Sequence, residues 1–161
     1  MKRILLIDGY NLLFQFPELR RQIERDLEGA RERLLDSVSV YAAKKQTETL
    51  VVFDGDGKER TEIRRRSCVK VIFSKPPQKA DPLIKKILSE KKPDWDLVLI
   101  TSDHEIARFA RLCGVRSETS QKFASDMASE PQGEIEKKFD NPLSEQEVAD
   151  WMELFQNRPS E

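Results

Sequence analysis

The sequence predicts an α/β domain built on a mainly parallel sheet. Short runs of uninterrupted apolar residues recur along the chain, at residues 3–8, 49–54, 69–73 and 96–101. A strand covered on both faces shows such unbroken apolarity, because residues of both parities are buried. Segments with helical spacing lie between these runs, and strands alternating with helices build parallel sheets. At 161 residues the chain is long enough for one domain held by its own core.

Residues 3–8 (RILLID) form the first run and end in an acid. Over residues 28–45, Ala30, Leu34, Val38, Tyr41 and Ala42 fall at i, i+4, i+8, i+11 and i+12, one face of a helix. Residues 49–54 (TLVVFD) repeat the strand pattern, and residues 69–73 (VKVIF) repeat it more weakly. Residues 80–91 then carry Leu83, Ile84, Ile87 and Leu88 as a helical stripe. Residues 96–101 (DLVLIT) are the third strong run, followed by Ser102 and Asp103. A helix over 103–113 presents Ile106, Phe109 and Ala110, with Gly114 as its expected C-cap. Residues 120–128 suit a short helix, and residues 130–133 (EPQG) a linker. Ser144 and Glu147 form a capping box with Leu143 and Val148 as its staple. Val148, Trp151, Met152 and Phe155 continue that helix on one face. The expected division is one domain over 1–130, then a linker and C-terminal amphipathic helix over 131–161, packed on or appended to it.

Composition excludes several classes. Lys and Arg number 28 against 29 Asp and Glu, for a net charge of -1, which is not the balance of a general polycation. No apolar run approaches the ~20 residues of a membrane span, and the first residues lack the shape of a signal peptide. Cys68 and Cys113 sit in no CxxC pair, and His104 is the single histidine, so a disulfide framework or zinc site is not expected. A cytoplasmic monomer is the resulting expectation. His104 reads as a solvated first-turn residue rather than a proton shuttle.

Chemistry concentrates at the strand ends. Asp8 ends the first run, Asp54 the second, and Asp103 lies just past the third, while Asp81 opens the helix that begins near Ala80. Ligands of open parallel sheets bind outside the carboxyl ends of the strands. Taken singly, Asp81 and Asp103 read as helix N-caps and Asp54 as a turn acid. Taken jointly, they bring four carboxylates to one edge. Such a cluster repels itself unless a cation neutralises it or some members protonate, and carboxylate oxygens select Mg²⁺ or Mn²⁺.

These residues also carry a resemblance. Ile7-Asp8-Gly9-Tyr10-Asn11, Val51-Val52-Phe53-Asp54, Lys79-Ala80-Asp81 and Thr101-Ser102-Asp103 resemble the signatures of the YacP-like NYN domain, a branch of the PIN-like nucleases, in order and spacing to about Gly114. The resemblance implies a PIN-like three-layer α/β/α sandwich and a metal-dependent endoribonuclease. It implies that Asp8, Asp54, Asp81 and Asp103 form the catalytic, metal-binding site, with Asn11 and Ser102 supporting it. Asn11 would orient a carboxylate or a water, and Ser102 would cap the following helix or meet the phosphate. The family often continues with an Arg-x-Ser-Ala-x-Glu-like segment, and residues 116–123 do not follow it.

An RNA substrate needs cations at its phosphates. Lys58, Arg60, Arg64, Arg65, Arg66 and Lys70 crowd the link between the second run and Val69, and Lys75 and Lys79 flank the approach to Asp81. Arg64, Arg65, Arg66, Lys75 and Lys79 are the candidate RNA contacts. Tyr10 and Phe14 are candidates to stack a base, with Phe14 expected in the core. The balanced charge points to RNA presented by a larger assembly such as the ribosome. Two other readings stand beside this one. A PIN-like RNA-binding or adaptor module keeps the pocket without turnover. A haloacid-dehalogenase-type phosphatase would use Asp54 and Asp56, but leaves Asp8 and Asn11 unexplained.

Overall fold

The computed structural model describes residues 2–55, 68–74 and 79–130 in full and residues 62–66 along the backbone. The chain runs β1 (Lys2–Asp8), α1 (Gly9–Leu13), α2 (Pro17–Ile23), α3 (Leu27–Lys45), β2 (Glu48–Phe53), β3 (Glu62–Arg66), β4 (Val69–Phe73), α4 (Ala80–Ser89), β5 (Trp95–Ile100), α5 (His104–Leu112), β6 (Arg116–Glu118) and α6 (Ser120–Ser129). The strands form one sheet in the order β3-β4-β2-β1-β5-β6. All neighbours pair in parallel except β3 and β4, which are antiparallel.

The pleat explains why the strands read as continuous apolar runs. Leu5, Ile7, Val51, Phe53, Val69, Val71, Val98 and Ile100 enter one core, packed against α1, α2, α3 and α6. Ile4, Leu6, Leu50, Val52, Ile72, Leu97 and Leu99, of the opposite parity, enter a second core under α4 and α5. Each strand therefore feeds both layers, and the result is the expected three-layer α/β/α sandwich with a mainly parallel sheet. The predicted helical faces are the buried ones. Ala30, Leu34, Val38 and Ala42 are buried from α3, Leu83, Ile84, Ile87 and Leu88 from α4, and Ile106 and Ala110 from α5. Gly114 follows α5 with φ +73°, the left-handed geometry expected of it.

Two strands had no apolar signature. β3 lies inside the segment read as a basic link, and β6 has three residues. Both occupy sheet edges, where a strand needs neither two covered faces nor an apolar run, and where charged residues discourage pairing with another chain. Lys70 is corrected as well. It is 3% exposed within β4, between β2 and β3, and is not a surface cation. The linker and helix expected over residues 131–161 lie outside the described residues.

The sheet order places the site. From the central β1 the chain steps to β2 and β4 on one side, then crosses back to β5 on the other. β1 is followed by helices of one layer and β5 by α5 of the other. The carboxyl ends of β1 and β5 therefore flank a topological switch point, where open α/β sheets leave a crevice.

Candidate active site

Register sets the first contact. Ile7 pairs with Ile100, so the next residues on each strand, Asp8 and Thr101, leave the sheet side by side. Both continue the parity that faces α4 and α5. Thr101 Oγ1 donates to Asp8 Oδ2 at 3.0 Å and accepts the Asp103 N–H at 3.1 Å. One buried hydroxyl thus ties the carboxylate ending β1 to the loop carrying Asp103. Asp8 holds the N-cap position of α1 without spending its side chain on the cap.

Gly9 is required for this arrangement. A Cβ there would lie 2.5 Å from the Phe53 ring and 2.8 Å from the Val52 carbonyl oxygen. The close approach lets α1 start directly against β2, and it fixes where Asp8 leaves the strand.

The other acids are held by helix starts. Asp54 Oδ1 accepts the Ala80 N–H at 2.5 Å, so the residue read as a turn acid satisfies the first backbone donor of α4. Gly55 N–H donates to buried Ser74 Oγ at 3.2 Å, which anchors the same loop. Asp81 is not an N-cap: Lys79 holds that position, and Asp81 lies in the first turn. Asp103 is the N-cap of α5, its Oδ1 accepting from Glu105 N–H at 2.9 Å and Ile106 N–H at 3.2 Å. Among the described residues, no hydrogen bond engages the second oxygen of Asp8, Asp54 or Asp103.

Electrostatics unites the four. Burial pushes the Asp8 carboxyl up to about 6, against the hydrogen bond from Thr101, and Asp81, Asp103 and Asp54 each raise it further. Asp81 is raised by partial desolvation, then by Asp103 and Asp54, with Lys85 opposing. The edge is therefore short of positive charge. The donor set is all carboxylate oxygen, which suits a hard divalent ion. Among the described residues no three His, Cys, Asp or Glu side chains form a ready metal-holding group. The arrangement fits an ion that keeps several waters and touches one or two carboxylates, the habit of Mg²⁺, rather than a closed protein cage.

Asn11 Oδ1 accepts Ser102 N–H at 2.8 Å and Ser120 Oγ–H at 2.6 Å, so its amide oxygen orients a loop and a helix start. Ser102 Oγ accepts the Ser120 N–H at 3.0 Å and so serves α6, because Asp103 already fills the cap of α5. Reading the sequence missed Thr101 and Ser120, both buried. Thr101 lay within a recognised signature. Ser120 lay in the segment departing from the family pattern, and its one signal is Thr119, an N-cap residue that accepts from Lys122 N–H.

The remaining candidates divide. Tyr10 packs edge-on against Phe53 with ring centroids 4.9 Å apart, and its hydroxyl accepts from Arg31 Nη1 at 3.0 Å. Phe14, expected in the core, is 49% exposed, because Leu12 and Leu13 already fill the inner face of α1. His104 is exposed in the first turn of α5, as expected. Lys79 is exposed at the start of α4, beside Asp81. Arg64, Arg65 and Arg66 lie along β3 at register positions opposite Val71, Lys70 and Val69. Lys75, Asp56, Lys58 and Arg60 lie outside the described residues.

Comparison with known proteins now bears on this edge. The family model of the YacP-like NYN domain matches residues 5–156. The chain belongs to the YacP-like NYN domain family. It is thus a PIN-like domain of nuclease type. YacP of Bacillus subtilis (strain 168) is 34% identical over 87 residues, 52% of this chain and 50% of the relative, so the match spans about half of that protein. Two crystal structures of Rae1 (YacP) from Bacillus subtilis are similar in fold. A point mutant gives a TM-score of 0.66 at 25% identity, covering 80% of this chain and 76% of the other. A second gives 0.64 at 26% identity, covering 78% and 74%. Among the described residues no helix of this NYN domain is long and apolar enough to cross a membrane.

Proposed function

We propose that this NYN domain is a divalent-metal-dependent endoribonuclease acting at the carboxyl edge of β1, β2 and β5. The observation that carries the reading is the mutual repulsion of Asp8, Asp54, Asp81 and Asp103, each delivered by a different strand end or helix start. Asp8 and Asp103, with Asp54 and Asp81 beside them, would hold Mg²⁺ or Mn²⁺. Such an ion supplies a lowered water pKa and neutralises charge developing on the phosphate.

The chain's own groups prepare that chemistry. Thr101 fixes the Asp8 carboxylate through Oδ2, the α5 N-terminus fixes Asp103 through Oδ1, and Ala80 N–H fixes Asp54 through Oδ1. Each remaining oxygen is left to orient a water or an ion. Asn11 and Ser102 hold the loop and α6 in place, which makes them positioning residues. Lys79, Lys75 and the Arg64, Arg65 and Arg66 run would meet RNA phosphates. We assign catalysis to residues 1–130 and treat residues 131–161 as a linker and helix. With no surplus of basic residues, a cytoplasmic monomer whose RNA is presented by an assembly such as the ribosome remains our reading of its setting.

The test is incubation of the purified protein with structured and unstructured RNA, with Mn²⁺ or with chelator. Cleavage should require the ion and should vanish in Asp8→Asn and Asp103→Asn, both folded. Full activity of those variants, or activity in excess chelator, would overturn the proposal. The competing reading is an RNA-binding module without turnover. RNA binding with no cleavage under any condition would establish it instead.

A further inference from the structure

Lys85 is a cation beside the acids that the proposed mechanism does not use. It lies in α4 four positions after Asp81, a spacing that puts the two side chains on one face of the helix with the acid nearer the N-terminus. Its Nζ is 3.2 Å from Glu105 Oε1, across the contact between α4 and α5. Glu105 belongs to the first turn of α5, and its N–H donates to Asp103 Oδ1 at 2.9 Å. Phe109, one turn further along α5, sets its ring against the same ammonium, with 5.7 Å from Nζ to the ring centroid. Lys85 therefore stands between the helix that carries Asp81 and the helix start that holds Asp103.

Holding two helices together does not account for this placement. The Lys85 side chain is 32% exposed and that of Glu105 80%, and an ion pair so open to water contributes little to stability. The charge itself reaches the acids. Burial, then Asp103 and Asp54, push the Asp81 carboxyl up, and Lys85 opposes them. Burial also raises Asp8, but there the opposing group is the Thr101 hydroxyl, which is neutral. The Asp81 side of the edge thus has a resident cation, and the Asp8 side has a hydroxyl.

We propose that Lys85 is a built-in counter-cation of the acidic edge, its ammonium doing for Asp81 what a second metal ion would do, so that the edge takes one divalent ion. The inference rests on the metal reading given above and sets how many ions that site holds and how tightly. Carboxylates that repel one another need positive charge, and a tethered ammonium supplies part of it without leaving the protein. The same ammonium repels an incoming divalent cation, so the edge binds its ion less tightly than four carboxylates alone would. Lys85 acts through the charge it adds to the acids and the ion, which makes it a positioning residue rather than a catalytic one.

The experiment titrates the full chain with Mn²⁺ at pH 7 and low salt, without RNA, and counts free ion by its electron paramagnetic resonance signal. Wild type should bind one Mn²⁺ per chain, and Asp8→Asn should lose it. Lys85→Gln should bind Mn²⁺ roughly three- to thirtyfold more tightly, as removal of one unit charge from near a divalent ion does close to a protein surface. Lys85→Arg should keep the wild-type affinity, and Lys85→Glu should take up a second ion. Glu105→Gln breaks the same ion pair from the other side but removes a negative charge, so it should not tighten binding. A purely structural pair would move Lys85→Gln and Glu105→Gln in the same direction. Two ions on wild type, or no tighter binding by Lys85→Gln, would overturn the inference, and no Mn²⁺ on any of these proteins would overturn the metal reading with it. Incubation of the same proteins with RNA separates the two. One ion with Lys85-dependent affinity and no cleavage retires the nuclease and keeps the counter-cation, while ion-dependent cleavage with Lys85-independent affinity does the reverse.

Discussion

Asp8 shows what one residue contributes and costs. The native carboxyl keeps its proton to about pH 6, while the unfolded one releases it near 3.8. Between those values the native state binds more protons, so stability is greatest below the window and falls as pH rises through it. A shift of about two units corresponds to roughly 3 kcal/mol at neutral pH, as an order of magnitude. Asp8→Asn should therefore unfold several degrees above wild type at pH 7 in metal-free buffer, and the two should converge near pH 4. Thermal unfolding across that range checks it, and a lower midpoint for the variant at pH 7 would contradict the burial cost. Gly9 works by space alone. Gly9→Ala must displace the Phe53 ring or the Val52 carbonyl, so it should cost about 1–3 kcal/mol in denaturant unfolding. Neither property is legible in the sequence. An acid after an apolar run announces a strand end, but not its burial, nor its hydrogen bond from Thr101, which lies 93 residues away.

At the scale of elements, legibility tracked how completely an element is covered. β1, β2, β4 and β5 have neighbours on both sides and apolar residues on both faces, and each was readable as an apolar run. The edge strands β3 and β6 contribute backbone pairing, which leaves little trace in side-chain chemistry. Helix α6 was readable, but its purpose was not, because Ser120 acts through tertiary contacts with Asn11 and Ser102. Those three residues form a clip between α1, the loop after β5 and α6. Asn11→Ala removes one acceptor from two donors, and should cost about 1–3 kcal/mol, the usual penalty of leaving buried partners unsatisfied. Hydrogen exchange should localise the loss to the first turn of α6 and the Ser102 amide. Unchanged protection there would show that the clip does not hold the loop.

For the whole molecule, the net charge of -1 conceals an acidic edge at the switch point of the sheet. A divalent ion that neutralises this edge binds only the folded state, so it should raise the unfolding temperature in a concentration-dependent way. Mn²⁺ at pH 7 should stabilise wild type and leave Asp8→Asn little changed, as read by calorimetry against Mn²⁺ concentration. Equal stabilisation of both proteins would place the ion elsewhere. The edge as a whole was legible because its acids follow strand signatures. What holds it together was not, because those contacts join residues far apart in the chain.

The reach of those contacts bears on how the protein is made. Asp8 meets Thr101 across 93 residues and Asn11 meets Ser120 across 109. Asp8 and Asn11 are synthesised well before the partners that hold them. A nascent or truncated chain ending before Ser120 lacks the clip, and one ending before Thr101 lacks the hydroxyl that orients Asp8. The acid-bearing edge is therefore completed only after Ser120 has joined the chain, so its geometry cannot form on a shorter nascent segment.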